Sequence, residues 1–160
     1  MLSQTAQYAL RTVLELARGS AGSPAAAADL AARLRVPANY LSKTLHQLAR
    51  AGVVASTRGK HGGFVLARPA HRIRLAEVVA PFQDVSERTC LLGRPACTDV
   101  RPCPAHGRWK VIAEQVADFF ARTTVAELLE LAGDHPAGEA PGLRMKKTSR
   151  RTHDELARAK

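Results

Sequence analysis

Three cysteines and a histidine fall within a short stretch of this chain, Cys90, Cys97, Cys103 and His106, spaced Cys-x6-Cys-x5-Cys-x2-His. Three soft thiolates and an imidazole suit a zinc ion or an iron–sulfur cluster. Structural zinc sites favour paired Cys-x2-4-Cys knuckles, which this spacing lacks. A cluster is larger than one ion and takes its ligands from around it, so long spacers through glycine and proline fit it better. Two other readings stay open. Arg88, Arg94 and Arg101 would favour thiolates, making the cysteines themselves redox sensors. His106 would then be a water-exposed residue at the start of a helix. An odd number of closely spaced cysteines does not suit a secreted disulfide framework.

Gly93, Pro95, Pro102 and Pro104 make residues 88–106 a loop. Beyond it Trp109, Ile112, Val116 and Phe119 recur at helical steps, predicting a helix from about Gly107 to Ala121. Thr124 then caps a shorter helix through Leu131. The long striped helix carries more apolar surface than a small domain covers, so we read it as a dimerisation helix, with packing on its own core as the alternative.

The elements before the loop are helical and then hairpin-like. Ser3 is an N-cap for a first helix ending near Gly19, with Leu10, Val13, Leu14 and Ala17 on one face. Ala27, Leu30 and Leu34 mark a second, stopped at Arg35-Val36-Pro37. A third begins near Pro37, carries Leu41, Leu45 and Leu48, and ends at Gly52. Two helices joined by a short turn fit a helix-turn-helix. Val53 to Arg58 and Phe64 to Leu66 flank the glycine-rich turn Gly59-Lys60-His61-Gly62-Gly63, a hairpin in the position of a wing. That turn lacks the Gly-Lys-Ser/Thr ending of a phosphate loop. A short helix from Leu75 to Phe82 follows.

Charge sorts by segment. The 160 residues carry a formal +10, of which residues 29–74 hold +8, the last twenty +5, and residues 75–140 are acidic at −4. The basic block coincides with the helix-turn-helix and wing. On the third helix the face opposite the leucines carries Asn39, Ser42, Lys43, His46, Gln47 and Arg50, groups that read base edges or neutralise phosphates. Arg58, Lys60 and His61 stand at the wing tip, where they would reach a neighbouring groove. The expected partner is double-stranded promoter DNA. The tail reads as a solvated, disordered segment.

Other classes are disfavoured. No window approaches the ~18 apolar residues of a membrane span, and the opening residues lack a signal-peptide pattern, so a cytoplasmic protein without membrane contact is expected. Neither a nucleotide loop nor a carboxylate pair argues for an enzyme, and an electron carrier has no need of a basic helix-turn-helix.

The opening Leu2-Ser3 to Tyr8-Ala9-Leu10, the stretch Val36-Pro37-Ala38-Asn39-Tyr40-Leu41, the wing Arg58 to Phe64 and the three-cysteine loop together resemble the bacterial winged-helix repressors that include the iron–sulfur cluster assembly regulator and the nitric-oxide-sensitive repressor. The match runs in order from residue 1 to about 132. It implies a mainly α protein: a winged helix-turn-helix over 1–85, a cluster loop over 86–106, a dimerisation helix and short helix over 107–132, and a basic tail over 133–160. It implies a homodimer with a cluster on Cys90, Cys97 and Cys103. Members like the assembly regulator complete a [2Fe-2S] site with a histidine three residues after the last cysteine, where His106 stands. Nitric-oxide-sensing relatives use an aspartate of the first helix for [4Fe-4S], and Gln7 occupies that position here. The first spacer is one residue longer than in the assembly regulator. On balance [2Fe-2S] is expected over [4Fe-4S].

Overall fold

In the computed structural model residues 2–19, 22–59 and 62–132 are described. The expected basic tail and the wing-tip residues Lys60 and His61 lie outside them. Ser3 opens α1 (Gln4–Arg18) as its N-cap, Oγ accepting the Ala6 N–H at 3.2 Å. The buried face of α1 is rotated from the one its leucines suggest. Ala6, Ala9, Thr12 and Val13 are buried, while Leu10, Leu14 and Ala17 only flank the core. Small alanines let α3 and α4 approach closely, and Thr12 satisfies its buried hydroxyl by donating to the Tyr8 carbonyl at 2.7 Å.

Next come α2 (Ala27–Leu34) and α3 (Ala38–Arg50), joined by a turn in which Arg35 adopts the left-handed conformation, φ 55°. The turn is closed by the Val36 N–H donating to the Ala31 carbonyl at 3.0 Å, which caps α2 and buries Val36. Leu30, Leu34, Leu41, Leu45 and Leu48 are buried between the two helices and α1. Gly52, at φ +69°, then redirects the chain into the wing.

The wing pairs β1 (Val54–Thr57) with β2 (Gly63–Leu66) in antiparallel register, from Val54 opposite Leu66 to Thr57 opposite Gly63. It is fastened to the domain by a two-bond bridge between Ala25 and Phe64, 3.0 and 2.9 Å. Gly63 lies against that bridge, and a Cβ there would stand 2.5 Å from the Ala25 carbonyl oxygen.

A 3-10 turn at Ala70–Arg72 leads to α4 (Leu75–Val79), shorter than the helix expected through Phe82. Pro81 is the reason, since it has no N–H with which to continue the ladder. After the long loop, α5 (His106–Arg122) starts at His106 itself, and α6 (Val125–Ala132) follows. Thr124 caps α6 as expected: its N–H and hydroxyl donate to Glu127 Oε2 at 2.7 and 3.0 Å, and Glu127 N–H returns to Thr124 Oγ1 at 3.2 Å.

The junction of α5 and α6 is bound back to the winged domain. Leu75 N–H donates to the Thr123 carbonyl at 3.0 Å and Val125 N–H to the Ile73 carbonyl at 2.9 Å. Arg74 adds a guanidinium bond to the Ala121 carbonyl at 3.1 Å. Phe120 and Val125 thereby enter the common core, and α6 packs on α1. The remainder of α5 projects, with Val111, Ile112, Val116 and Phe119 between 47% and 53% exposed. Among the described residues no helix is long and apolar enough to cross a membrane.

Gly63→Ala tests the wing's attachment. Because the neighbouring atoms are backbone, the added methyl must push the wing off Ala25, and we expect a loss of about 1–3 kcal/mol. Denaturant melts of wild type and variant check this, and equal midpoints would show that the bridge yields freely.

Candidate functional site

On α3 the leucine side is buried and Asn39, Lys43, His46, Gln47 and Arg50 are all exposed, with Ser42 partly so. The expected face is thus a continuous outward surface. His46 is also a packing residue, its ring meeting Phe64 of the wing edge to face at 6.0 Å. That contact packs α3 against the wing. Arg58 is exposed just past the end of β1.

Two residues that side-chain chemistry on α3 alone did not single out complete this surface. Tyr40 and Thr5 join by their hydroxyls, and Tyr8 packs edge-on to Tyr40 at 5.6 Å. A 340 Å³ cleft opens beside them, between Thr5, Tyr40, Lys43, Gln47 and Phe82. The start of α1 therefore borders the exposed face of α3. The signal in the sequence was the pair of tyrosines outside the leucine register of their helices.

The cysteine loop returns to the head of α5. Its first turn is made at Gly93, φ +74°, where the Gly93 N–H donates to the Cys90 carbonyl at 3.0 Å. Backbone N–H groups of Arg94 and Leu92 reach the Cys90 sulfur, followed by a hydrogen bond with Cys103, and together they hold the Cys90 thiol below its ordinary pKa. Cys97 Sγ lies 3.5 Å from His106 Nδ1. All three cysteines are free, and Cys103 and His106 are buried, at 8% and 6% exposure. Of the four expected donors, Cys97 and His106 stand in direct contact. Among the described residues no three His, Cys, Asp or Glu groups converge on a single ion-sized point. Three thiols and an imidazole, two of them buried, are nonetheless the donor chemistry of a soft metal centre.

A polar network around His106 and Cys97 includes groups the spacing pattern did not assign. His106 Nε2 is 2.8 Å from Asp99 Oδ1, and Lys110 donates to both Asp99 oxygens at 3.0 and 3.1 Å. The hydrogen bond from His106, then that from Lys110, lower the Asp99 pKa to about 2. Arg88 spans the loop and α5, donating to the Cys97 carbonyl at 3.3 Å and pairing with Glu114 at 3.5 Å. Trp109 Nε1 donates to the Thr89 carbonyl at 2.7 Å. The one hint in the sequence was Lys110, a full turn from His106 and so on the same face.

Comparison with known proteins agrees with this architecture. The family model for Rrf2, described as an iron-dependent transcriptional regulator, matches residues 2–131. The chain is 30% identical over 129 residues to the HTH-type transcriptional regulator IscR of Vibrio campbellii, covering 81% of this chain and 77% of that one. Its fold is similar to that of CymR, the global cysteine regulator of B. subtilis, with a TM-score of 0.71 at 22% identity over 83% of this chain and 98% of the other. The T. potens IscR structure gives 0.66 at 21%, over 89% and 93% of the two chains. The expected mainly α, winged helix-turn-helix fold is the one these structures share. With a family match spanning winged domain, cysteine loop and projecting helix alike, the chain belongs to the Rrf2 family of DNA-binding transcriptional regulators, which are not enzymes.

Proposed function

We propose that this regulator is a homodimeric repressor of promoter DNA whose affinity is set by an iron–sulfur cluster on Cys90, Cys97, Cys103 and His106. The observation that carries this reading is the placing of Cys97 Sγ 3.5 Å from His106 Nδ1, with Cys103 and His106 buried at the head of α5. The [2Fe-2S] form is favoured over [4Fe-4S] because the fourth donor is then His106. Gln7 of α1 offers an amide in place of a carboxylate, and its Nε2 is engaged with the Leu2 carbonyl at 3.0 Å.

The chain's own part is mechanical. Lys43, His46, Gln47 and Arg50 face outward for the major groove, with Asn39 and Ser42 at the entering end of α3, and Arg58, Lys60 and His61 supply the wing contact. Arg88 ties the loop backbone at Cys97 to Glu114 on α5, and the far end of α5 is bonded to residues 73–75. A change in the loop is therefore transmitted along one helix to the domain that holds α3. Bound at the four donors, a cluster would supply a redox- and nitric-oxide-reactive tether for that loop. A tenfold change in DNA affinity requires about 1.4 kcal/mol of coupling. The half-exposed apolar stripe of α5 supports pairing with a second copy, which would continue that path from one winged domain to the other.

Three outcomes are expected. Anaerobically purified protein is coloured, Cys97→Ala bleaches it, and Mössbauer spectra of the wild type show the [2Fe-2S] form. Colourless protein with stoichiometric zinc, or with neither metal, would replace this reading with a zinc-stabilised or thiol-sensing regulator. Arg58→Ala weakens promoter binding and makes its dependence on salt shallower by about one unit of slope, whereas an unchanged slope argues against a wing contact. Ile112→Glu places a charge in the α5 stripe and shifts the protein to monomer in sedimentation velocity, with DNA affinity falling in parallel. A dimer that persists would locate the subunit contact elsewhere.

A further inference from the structure

The two ring nitrogens of His106 face different partners. Nδ1 lies 3.5 Å from Cys97 Sγ, and Nε2 lies 2.8 Å from Asp99 Oδ1. Asp99 is itself held in place by Lys110 Nζ, at 3.0 and 3.1 Å from its two oxygens, and by Arg88 Nη2 at 3.9 Å. His106 and Lys110 are one turn apart on α5, so a single carboxylate bridges both without distorting the helix. The imidazole is buried while the Asp99 side chain is 62% exposed. An exposed carboxylate contributes little by packing, which leaves its bonds as the reason for its position.

A neutral imidazole carries one ring proton, and an ionised carboxylate accepts hydrogen bonds without donating. Asp99 therefore selects the form of His106 with its proton on Nε2 and its lone pair on Nδ1. A ligating histidine commonly gives its second N–H to such a carboxylate, which orients the ring and raises its basicity. We propose that Asp99 is a positioning residue for His106, fixing its tautomer so that Nδ1 faces the thiol group of the loop and is the atom that donates to a metal centre. This rests on the ligand role given to His106 above. Lys110 and Arg88 complete the arrangement by holding the carboxylate at Nε2.

Long-range 1H–15N NMR of the full-length, thiol-reduced, metal-free chain tests the tautomer directly, at about pH 8, above the ordinary imidazole range. His106→Gln assigns the resonances. The expected wild-type spectrum has His106 protonated at Nε2 alone. Asp99→Ala mixes the two tautomers, and Asp99→Asn, whose amide oxygen accepts the same N–H, restores the wild-type pattern. A wild-type His106 protonated at Nδ1, or an Asp99→Ala spectrum matching the wild type, overturns the proposal. Co2+ titration of the wild type and all three variants gives a second readout. Affinity drops by roughly 10- to 100-fold in Asp99→Ala and recovers in Asp99→Asn; a drop in His106→Gln with none in Asp99→Ala overturns the proposal, whereas equal affinities throughout, His106→Gln included, remove the ligand role of His106 on which it rests. Thermal melts monitored by circular dichroism verify that the variants fold.

Neither readout depends on iron, so the two failures are distinguishable. Iron-free anaerobic protein with an Asp99-dependent tautomer removes the cluster reading and leaves the role of Asp99. A coloured protein whose His106 is indifferent to Asp99 does the reverse.

Discussion

Two backbone hydrogen bonds, Leu75 to Thr123 and Val125 to Ile73, decide how the halves of this protein act on each other. They join a segment that closes the winged domain to the turn between α5 and α6. Without them α5 would hang from the domain by a loop of irregular chain. With them, its base is part of the core, through Phe120 and Val125, and only its upper portion is free to meet another surface. The anchor is made of main-chain groups, so it tolerates change in side chains. Arg74 strengthens it from the side by reaching the Ala121 carbonyl at the C-terminal end of α5, where a cation is favoured by the helix dipole.

The same anchor separates the protein's charges by task. The basic surface of α3 and the wing root lies on one part of the domain, and the acidic segment with the cysteines on another. Their physical connection is α5 with the contacts at its two ends, His106 and Asp99 at the head and residues 121–125 at the base. The cysteine loop and the winged domain are thus joined through one continuous helix bonded at its base. His46 packs α3 against the wing through Phe64.

Much of this was legible in the chain itself. Ser3, Gly52 and Thr124 marked helix ends because capping is a local matter of a residue and the nearest backbone groups. The leucines of α3 and the stripe of α5 were legible for a similar reason, since a period of 3.6 residues shows itself over a dozen positions. The buried face of α1 shares Val13 with the expected one but centres on Ala6, Ala9 and Thr12, while Leu10, Leu14 and Ala17 pack at its margin. Its contact with α3 is close, so alanines fill it and leucines flank it, and size in sequence says nothing about the distance between helices. The end of α4 was overrun because the apolar pattern continued past a proline that removes the needed N–H.

The site divides in the same way. Residue types and spacing alone pointed to the cysteines and histidine as candidate donors, to the polar and basic face of α3 and to a hairpin after it, since each of these is a property of one short stretch. Only the tertiary structure decided that Cys97 meets His106, that Asp99 bonds the imidazole, and that Thr5 and Tyr8 of α1 stand beside Tyr40 of α3. These are meetings between residues on separate elements or at opposite ends of an irregular loop. No repeat connects such positions along the chain, so their distances exist only after the core has closed and the base of α5 has been fastened to the winged domain.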